Sequence, residues 1–150
     1  MERRNFLKSA ASLSAITILS PDAVFANGTK PAIRLGFIGC GGRGTADISS
    51  MSRNANVHIV AIADLFHDQL KVAKPKLDQL NAAKGFPAIS QSNIYQGSDA
   101  YLRLLNNKEV DAVLISSPCY THPEFLEAAV AAGKHVYCEK PVAIDVEGCR

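Results

Sequence analysis

Apolar residues in this chain fall into two alternating kinds of segment. Short continuous runs recur at residues 32–38, 57–63, 111–116 and 135–138, and their length and β-branched content read as strands covered on both faces. Between them, apolar positions recur at helical spacing. Ile48 and Met51 fall on the inner side of a helix that begins near Arg43. Residues 65–83 carry Phe66, Leu70, Ala73, Leu77 and Leu80 on one face, and Pro75 is expected to kink or split that helix. Residues 85–96 read as loop with a short strand near Ile94. Ser98 or Asp99 caps a third helix, whose Tyr101, Leu102 and Leu105 face inward. Thr121 and Glu124 have capping-box spacing ahead of a fourth helix with Phe125, Leu126, Ala129 and Val130, which stops at Gly133. Strand and helix alternate, so the expected class is α/β with a doubly wound parallel sheet. Residues 145–150 read as the start of a further helix without cap or exit, so the chain is expected to be a fragment of a longer protein.

The first strand runs into Ile38-Gly39-Cys40-Gly41-Gly42-Arg43-Gly44, and its glycines at 39, 41 and 44 fit G-x-G-x-x-G. In that pattern the first glycine turns the chain out of the strand. The second admits a pyrophosphate close to the backbone, and the third lets helix and strand approach. The helix start then offers unpaired N–H groups to the phosphates. The second strand run is followed by Asp64, 25 residues after Gly39, near the spacing at which a carboxylate meets the adenosine ribose. This order predicts a Rossmann-type dinucleotide-binding domain over residues 27–150. The alternative is a glycine-rich turn with a capping aspartate.

Composition narrows the class. At 47% hydrophobic and 20% charged residues the chain is of the soluble globular type, and its 150 residues suit one domain. A net charge of +2, part of it at the extreme N-terminus, argues against a nucleic-acid surface. No mature apolar run is long enough to span a bilayer. Cys40, Cys119, Cys138 and Cys149 form no C-x-x-C or His/Cys pattern, so no metal site is expected and a small buried role is.

Residues 1–26 read as a signal peptide: basic from Arg3 to Lys8, apolar from 10 to 19, broken at Pro21, with a cleavage point near Ala26. Arg3-Arg4-Asn5-Phe6-Leu7-Lys8 resembles the twin-arginine export motif, although Glu2 stands where Ser or Thr is usual. The alternative is an ordinary Sec leader. The twin-arginine reading makes the export machinery a partner and the periplasm, or another exported location, the destination. A cofactor would then be seated before export. No cysteine follows the apolar segment, so no stable membrane anchor is expected.

Two further segments follow strands and reach the rim where such folds bind ligands: Ser116-Ser117-Pro118-Cys119-Tyr120-Thr121-His122 and Glu139-Lys140-Pro141. A lysine directly after a buried strand is unusual, and near an oxidised nicotinamide its ammonium is disfavoured, which suits proton transfer. A strand-terminal salt bridge followed by a turn proline explains the same residues equally well.

The stretch from 111 to 145 resembles the Gfo/Idh/MocA oxidoreductase family. It reads Asp-Ala-Val-Leu-Ile-Ser-Ser-Pro-Cys-Tyr-Thr-His, then Ala-Val-Ala-Ala-Gly-Lys-His-Val-Tyr-Cys-Glu-Lys-Pro, against DAV-x-I-x-(S/T)-P-x-x-x-H, A-x-x-A-G-K-H-V and C-E-K-P in the family. The resemblance implies that Gly39, Cys40, Gly41, Gly42, Arg43 and Gly44 surround a pyrophosphate. It implies that Asp64 takes the adenosine ribose and favours NAD over NADP. Ser117, Pro118 and His122 would line the nicotinamide half, Glu139 would bind the nicotinamide ribose, and Lys140 would be catalytic at the substrate hydroxyl. Pro141 would follow a cis peptide. Cys119 stands where many members carry Asn. The resemblance also implies a second α/β substrate domain missing from this chain, so that the fragment alone is inactive, and a homo-oligomeric full-length protein. The leading reading is an exported NAD-dependent oxidoreductase of a sugar, cyclitol or related polyol. A glycosidase or epimerase with a closed redox cycle is the alternative, as is a non-catalytic dinucleotide-binding module. The intact Glu139-Lys140-Pro141 tilts the choice to the first, because exported glycosidases of this fold lack it.

Overall fold

Parallel strands need a crossover to return the chain to the same end of the sheet, and apolar helix faces supply it here. The computed structural model describes residues 31–150; the leader-like residues 1–26 lie outside the described residues. In chain order the strands and helices are β1 (Ile33–Ile38), α1 (Gly42–Asn54), β2 (Val57–Asp64), α2 (His67–Ala82), β3 (Ile94–Gln96), α3 (Ala100–Leu105), β4 (Ala112–Ile115), α4 (His122–Ala131) and β5 (His135–Cys138). Short 3₁₀ turns, Gln91–Asn93 and Cys119–Thr121, precede β3 and α4. The strands pair in parallel in the order β3-β2-β1-β4-β5. The order reverses at β1, which is the Rossmann-type doubly wound arrangement, and the crevice beyond the carboxyl ends of β1 and β4 is the switch point.

The central strands β1, β2 and β4 are buried on both faces over most of their length, whereas the edge strand β5 exposes His135 and Tyr137. Leu35, Phe37, Ile59, Ile62 and Leu114 meet Ile48, Leu70 and Leu77 of α1 and α2 on one side. Ile38, Val60, Val113 and Ile115 meet Leu104, Leu105 and Ala129 of α3 and α4 on the other. Strand β3 pairs only with residues 62–64 of β2. Asn81, 1% exposed, serves the earlier part of β2 instead: its Oδ1 accepts from Ile59 N at 3.0 Å and its Nδ2 donates to Ile59 O at 2.8 Å.

Several local expectations are corrected. Pro75 does not split α2, which runs unbroken through it. The proline lies on the exposed face, where a carbonyl left without its donor can be hydrated, while Leu70, Ala73 and Leu77 hold the other face. Phe66 is 59% exposed because it precedes the helix instead of facing inward from it. Leu102 is 43% exposed and Leu104 takes its place in the core, since Tyr101, Leu104 and Leu105 share one helical face. The Thr121–Glu124 capping box does not form. The chain enters α4 through a 3₁₀ turn with Thr121 already helical, Thr121 Oγ1 donates to Pro118 O at 2.9 Å, and Glu124 accepts from Tyr101 OH at 2.6 Å. The close of α4 follows expectation: Gly133 has φ +68, and Lys134 N returns to Ala129 O at 3.0 Å. Residues 145–150 form turns, not a helix.

Candidate dinucleotide site

The glycines of the first turn divide into two kinds. Gly39 has φ +88, and a Cβ there would stand 2.5 Å from Ser117 N, so the turn runs directly against the end of β4. A Cβ on Gly44 would stand 2.6 Å from Phe37 Cε2 and 2.8 Å from Gly39 O, so α1 packs on β1 closer than any side chain permits. Added Cβ atoms on Gly41 and Gly42 would meet nothing within 4 Å. Those two glycines face open space. Helix α1 has Gly41 as its N-cap residue, without a side-chain cap and without an acidic residue in its first turn. Its first N–H groups have no intrahelical acceptor, and the helix dipole adds positive potential there. The open cradle and the uncapped helix start together fit a dinucleotide pyrophosphate.

Asp64 closes β2 beside this turn. Its Oδ2 accepts from Cys40 N at 2.7 Å and its Oδ1 from Phe66 N at 2.9 Å. Two backbone donors thus fix the carboxylate, and each oxygen keeps a lone pair for a further donor. Cys40 is 3% exposed, and burial, with the Asp64 carboxylate next, pushes its thiol well above the ordinary range. It fills space and is no nucleophile.

The loops after β4 and β5 form the other half of the rim. Ile38, Ile115 and Cys138 are register partners across β1, β4 and β5, so Gly39, Ser116 and Glu139 leave the sheet at one level. Thr121 Oγ1 gives its proton to Pro118 O, so Ser117 Oγ, 2.6 Å away, donates to Thr121. His122 is 1% exposed, with Nδ1 2.8 Å from Pro141 O and Nε2 2.9 Å from Ser117 O. Its ring ties the β4 loop to the β5 loop and turns neither nitrogen to the open cleft. Pro118 caps the 3₁₀ turn that leads to His122.

Glu139 is 6% exposed. Arg43 Nη2 donates to its Oε1 at 2.9 Å, and Lys140 N donates to its Oε2 at 3.2 Å. Tyr137 OH lies 3.4 Å from Oε1. The Arg43 guanidinium, as the largest influence, holds the Glu139 carboxyl below its ordinary range. Arg43 Nε also lies 3.2 Å from Asp47 Oδ2, so one guanidinium spans two carboxylates. Lys140 is exposed, and no described residue bonds its ammonium. The Lys140–Pro141 peptide is cis. Sequence reasoning missed Asp47 and Tyr137. Asp47 was detectable as the i+4 partner of Arg43 on a helix, and Tyr137 as the residue two before Glu139 on the same strand face.

The profile described as "Oxidoreductase family, NAD-binding Rossmann fold" (GFO_IDH_MocA) matches residues 33–150. The chain is similar to the inositol 2-dehydrogenase of Pseudomonas fluorescens (strain SBW25), 38% identical over 122 residues that make up 79% of this chain and 32% of the relative. It is also similar to glycosyl hydrolase family 109 protein 1 of Shewanella sp. (strain ANA-3), 30% identical over 169 aligned positions, covering 99% of this chain and 35% of the relative. Among solved structures, scyllo-inositol dehydrogenase from Lactobacillus casei with bound NAD(H) and scyllo-inositol matches with a TM-score of 0.61 at 25% identity, over 79% of this chain and 31% of that one. The chain therefore spans about a third of the length of these relatives. A sheet wound outward from β1 in both directions and a family match that runs from the first residue of β1 to Arg150 lead to one assignment: the chain belongs to the Gfo/Idh/MocA oxidoreductase family and carries its NAD-binding Rossmann fold.

Proposed function

We propose that the protein is an exported oxidoreductase acting on a hydroxyl-bearing carbon of a sugar, cyclitol or related polyol, with tightly held NAD. The observation that carries this reading is the position of Lys140. It stands on the carboxyl rim with the glycine turn, and the neighbouring Glu139 is joined to that turn by the 2.9 Å Arg43 contact. When bound, NAD supplies the hydride acceptor. Backbone groups of Gly41, Gly42, Arg43 and Gly44 hold the pyrophosphate at the uncapped start of α1, while Gly39 and Cys40, whose N–H groups donate to Ala63 O and Asp64 Oδ2, shape the turn beneath it. Asp64 accepts from the adenosine ribose hydroxyls, and its negative charge opposes a 2′-phosphate, which favours NAD over NADP. Ser117 and Pro118 line the nicotinamide half. His122 shapes that half by holding Ser117 and Pro141. Glu139 accepts from the second ribose, and the Lys140 amine takes the proton of the substrate hydroxyl.

The polyol substrate class is supported by the likeness to inositol 2-dehydrogenase, and NAD by the likeness to a dehydrogenase holding NAD(H). Export through the twin-arginine machinery is supported by Arg3, Arg4, Phe6, Leu7 and Lys8, and cell fractionation tests it. The full-length protein is a homo-oligomer in this reading, which sedimentation tests. The decisive experiment incubates the full-length protein with a panel of sugars and cyclitols and follows absorbance of the reduced nicotinamide. Lys140→Ala is expected to lower kcat by about 10²-fold or more, with NAD still bound. An unchanged rate refutes the role of Lys140. The alignment with a glycosyl hydrolase family 109 protein over 99% of the chain favours one second reading, a glycosidase with a closed redox cycle. Release of an aglycone without net reduction identifies it.

A further inference from the structure

We infer that Arg43 and Glu139 form an opposed charge pair that sets the preference of the site between the oxidised and the reduced dinucleotide. The inference rests on the dinucleotide reading above and extends it. Strand order supplies the direction. Asp64 ends β2, the glycine turn ends β1, and β4 and β5 lie on the far side. A dinucleotide with its adenosine ribose at Asp64 and its phosphates at the turn therefore extends its redox ring toward Ser117 and Glu139. The two redox forms share both phosphates and both riboses. They differ at the ring, which is cationic when oxidised and neutral when reduced. A buried group that senses the ring charge can tell them apart.

Glu139 is such a group: a carboxylate 6% exposed, at the ring end of the crevice. Alone it would favour the cationic form. Arg43 counters it from 2.9 Å and is itself drawn toward Asp47 at 3.2 Å. The Arg43 side chain is 65% exposed, so solvent and salt weaken its share more than that of the buried carboxylate. The other groups facing Glu139 are the Tyr137 hydroxyl, 3.4 Å away, and the backbone N–H of Lys140, whose exposed ammonium no described residue pairs. The pair therefore leaves a net negative bias at the ring, and each member shifts the bias in the opposite sense. Arg43 acts here through Glu139, as a positioning and charge-balancing residue.

The test titrates the purified full-length protein with NAD⁺ and, separately, with NADH, and takes the ratio of the two Kd values. Any loss of phosphate attraction on removing Arg43 affects both forms and cancels in the ratio. Arg43→Gln is expected to move the ratio toward NAD⁺ by about threefold, and Glu139→Gln toward NADH by about tenfold, as for a unit charge removed at an exposed and at a buried position. The double variant is expected to lie about threefold toward NADH, the product of the two opposed shifts, and Arg43→Lys, which keeps the charge, leaves the ratio unchanged. Equal weakening of both forms in both variants, or shifts of the same sign, overturns the inference while leaving dinucleotide binding intact. An unaltered protein that binds neither form overturns the dinucleotide reading itself, and the inference with it.

Discussion

Gly41→Ala is expected to leave the fold almost untouched and to damage the dinucleotide site. Gly41 has φ −69 and ψ −179, backbone that alanine adopts without strain, and an added Cβ meets nothing within 4 Å. Alanine is the poorer helix N-cap by up to about 1 kcal/mol. It also lowers the entropy of the unfolded chain, worth about 0.4–1 kcal/mol in the other direction. The two nearly cancel, so stability should change by less than about 1 kcal/mol. The other glycines of the turn behave differently. Gly44→Ala gains about 1 kcal/mol of helix propensity. It also drives a methyl to 2.6 Å from the ring of Phe37, which is 0% exposed, and to 2.8 Å from Gly39 O. Overpacking of that kind costs about 1–3 kcal/mol, and with backbone on one side the net is a loss of about 1–2 kcal/mol. Gly39→Ala combines φ +88 with a 2.5 Å approach to Ser117 N, and the loss should exceed about 3 kcal/mol. Urea unfolding followed by circular dichroism ranks the three variants, and calorimetric titration with NAD reads the site. Gly41→Ala should unfold at nearly the unaltered midpoint yet bind NAD at least about tenfold more weakly, because the methyl fills the cradle in front of α1. Undiminished NAD affinity in that variant, or a stability loss above about 2 kcal/mol, would show that the open space at Gly41 is not kept for a ligand.

Two further expectations follow from side chains at the rim and at the opposite end of the sheet. His122→Ala removes a ring that is 1% exposed and whose nitrogens lie against the carbonyls of Ser117 and Pro141, at least one of which loses its donor. It should cost about 2–4 kcal/mol in urea unfolding, and in the full-length protein it should lower kcat more than it raises KM. A loss below about 1 kcal/mol would mean that the ring holds neither loop. Asp111 accepts from Arg34 Nε at 2.9 Å, and that contact lowers its carboxyl to about 2. A depressed carboxyl stabilises the fold above its unfolded value near 3.8, and the contribution is lost as pH falls toward about 2. The side chain is 42% exposed, so the contribution is screened to below about 1 kcal/mol. Asp111→Asn should flatten the stability profile between about pH 4 and pH 2 and weaken its salt dependence; an unaltered profile in that variant would remove the pair from the acid response.

The strands were readable because burial on both faces demands continuous apolar runs, and residues 57–63 and 112–115 carry that demand in their own composition. Gly39 and Gly44 were readable because a left-handed turn and a helix–strand contact exclude side chains whatever lies further away. Tyr101-Leu102-Arg103-Leu104-Leu105 was not readable at residue level. Four apolar positions in little more than one turn let two faces compete, and the choice of Leu104 over Leu102 came from packing against Ile38, Val113 and Ile115. Thr121 and Glu124 had the spacing of a cap, but a 3₁₀ entry and the nearby Tyr101 hydroxyl offered both residues other partners.

What the amino-acid order determined by itself is the alternation of elements, the parallel sheet, the glycine turn and the acid at the end of β2. Each of these reports the surroundings of a single segment. What tertiary structure alone decided is who meets whom at the rim. The Arg43–Glu139 contact joins residues 96 apart, and His122 reaches Pro141 from 19 residues away. Such pairings arise when crossovers bring successive strand ends to one edge, and local spacing carries no record of which side chains will then lie within hydrogen-bond reach.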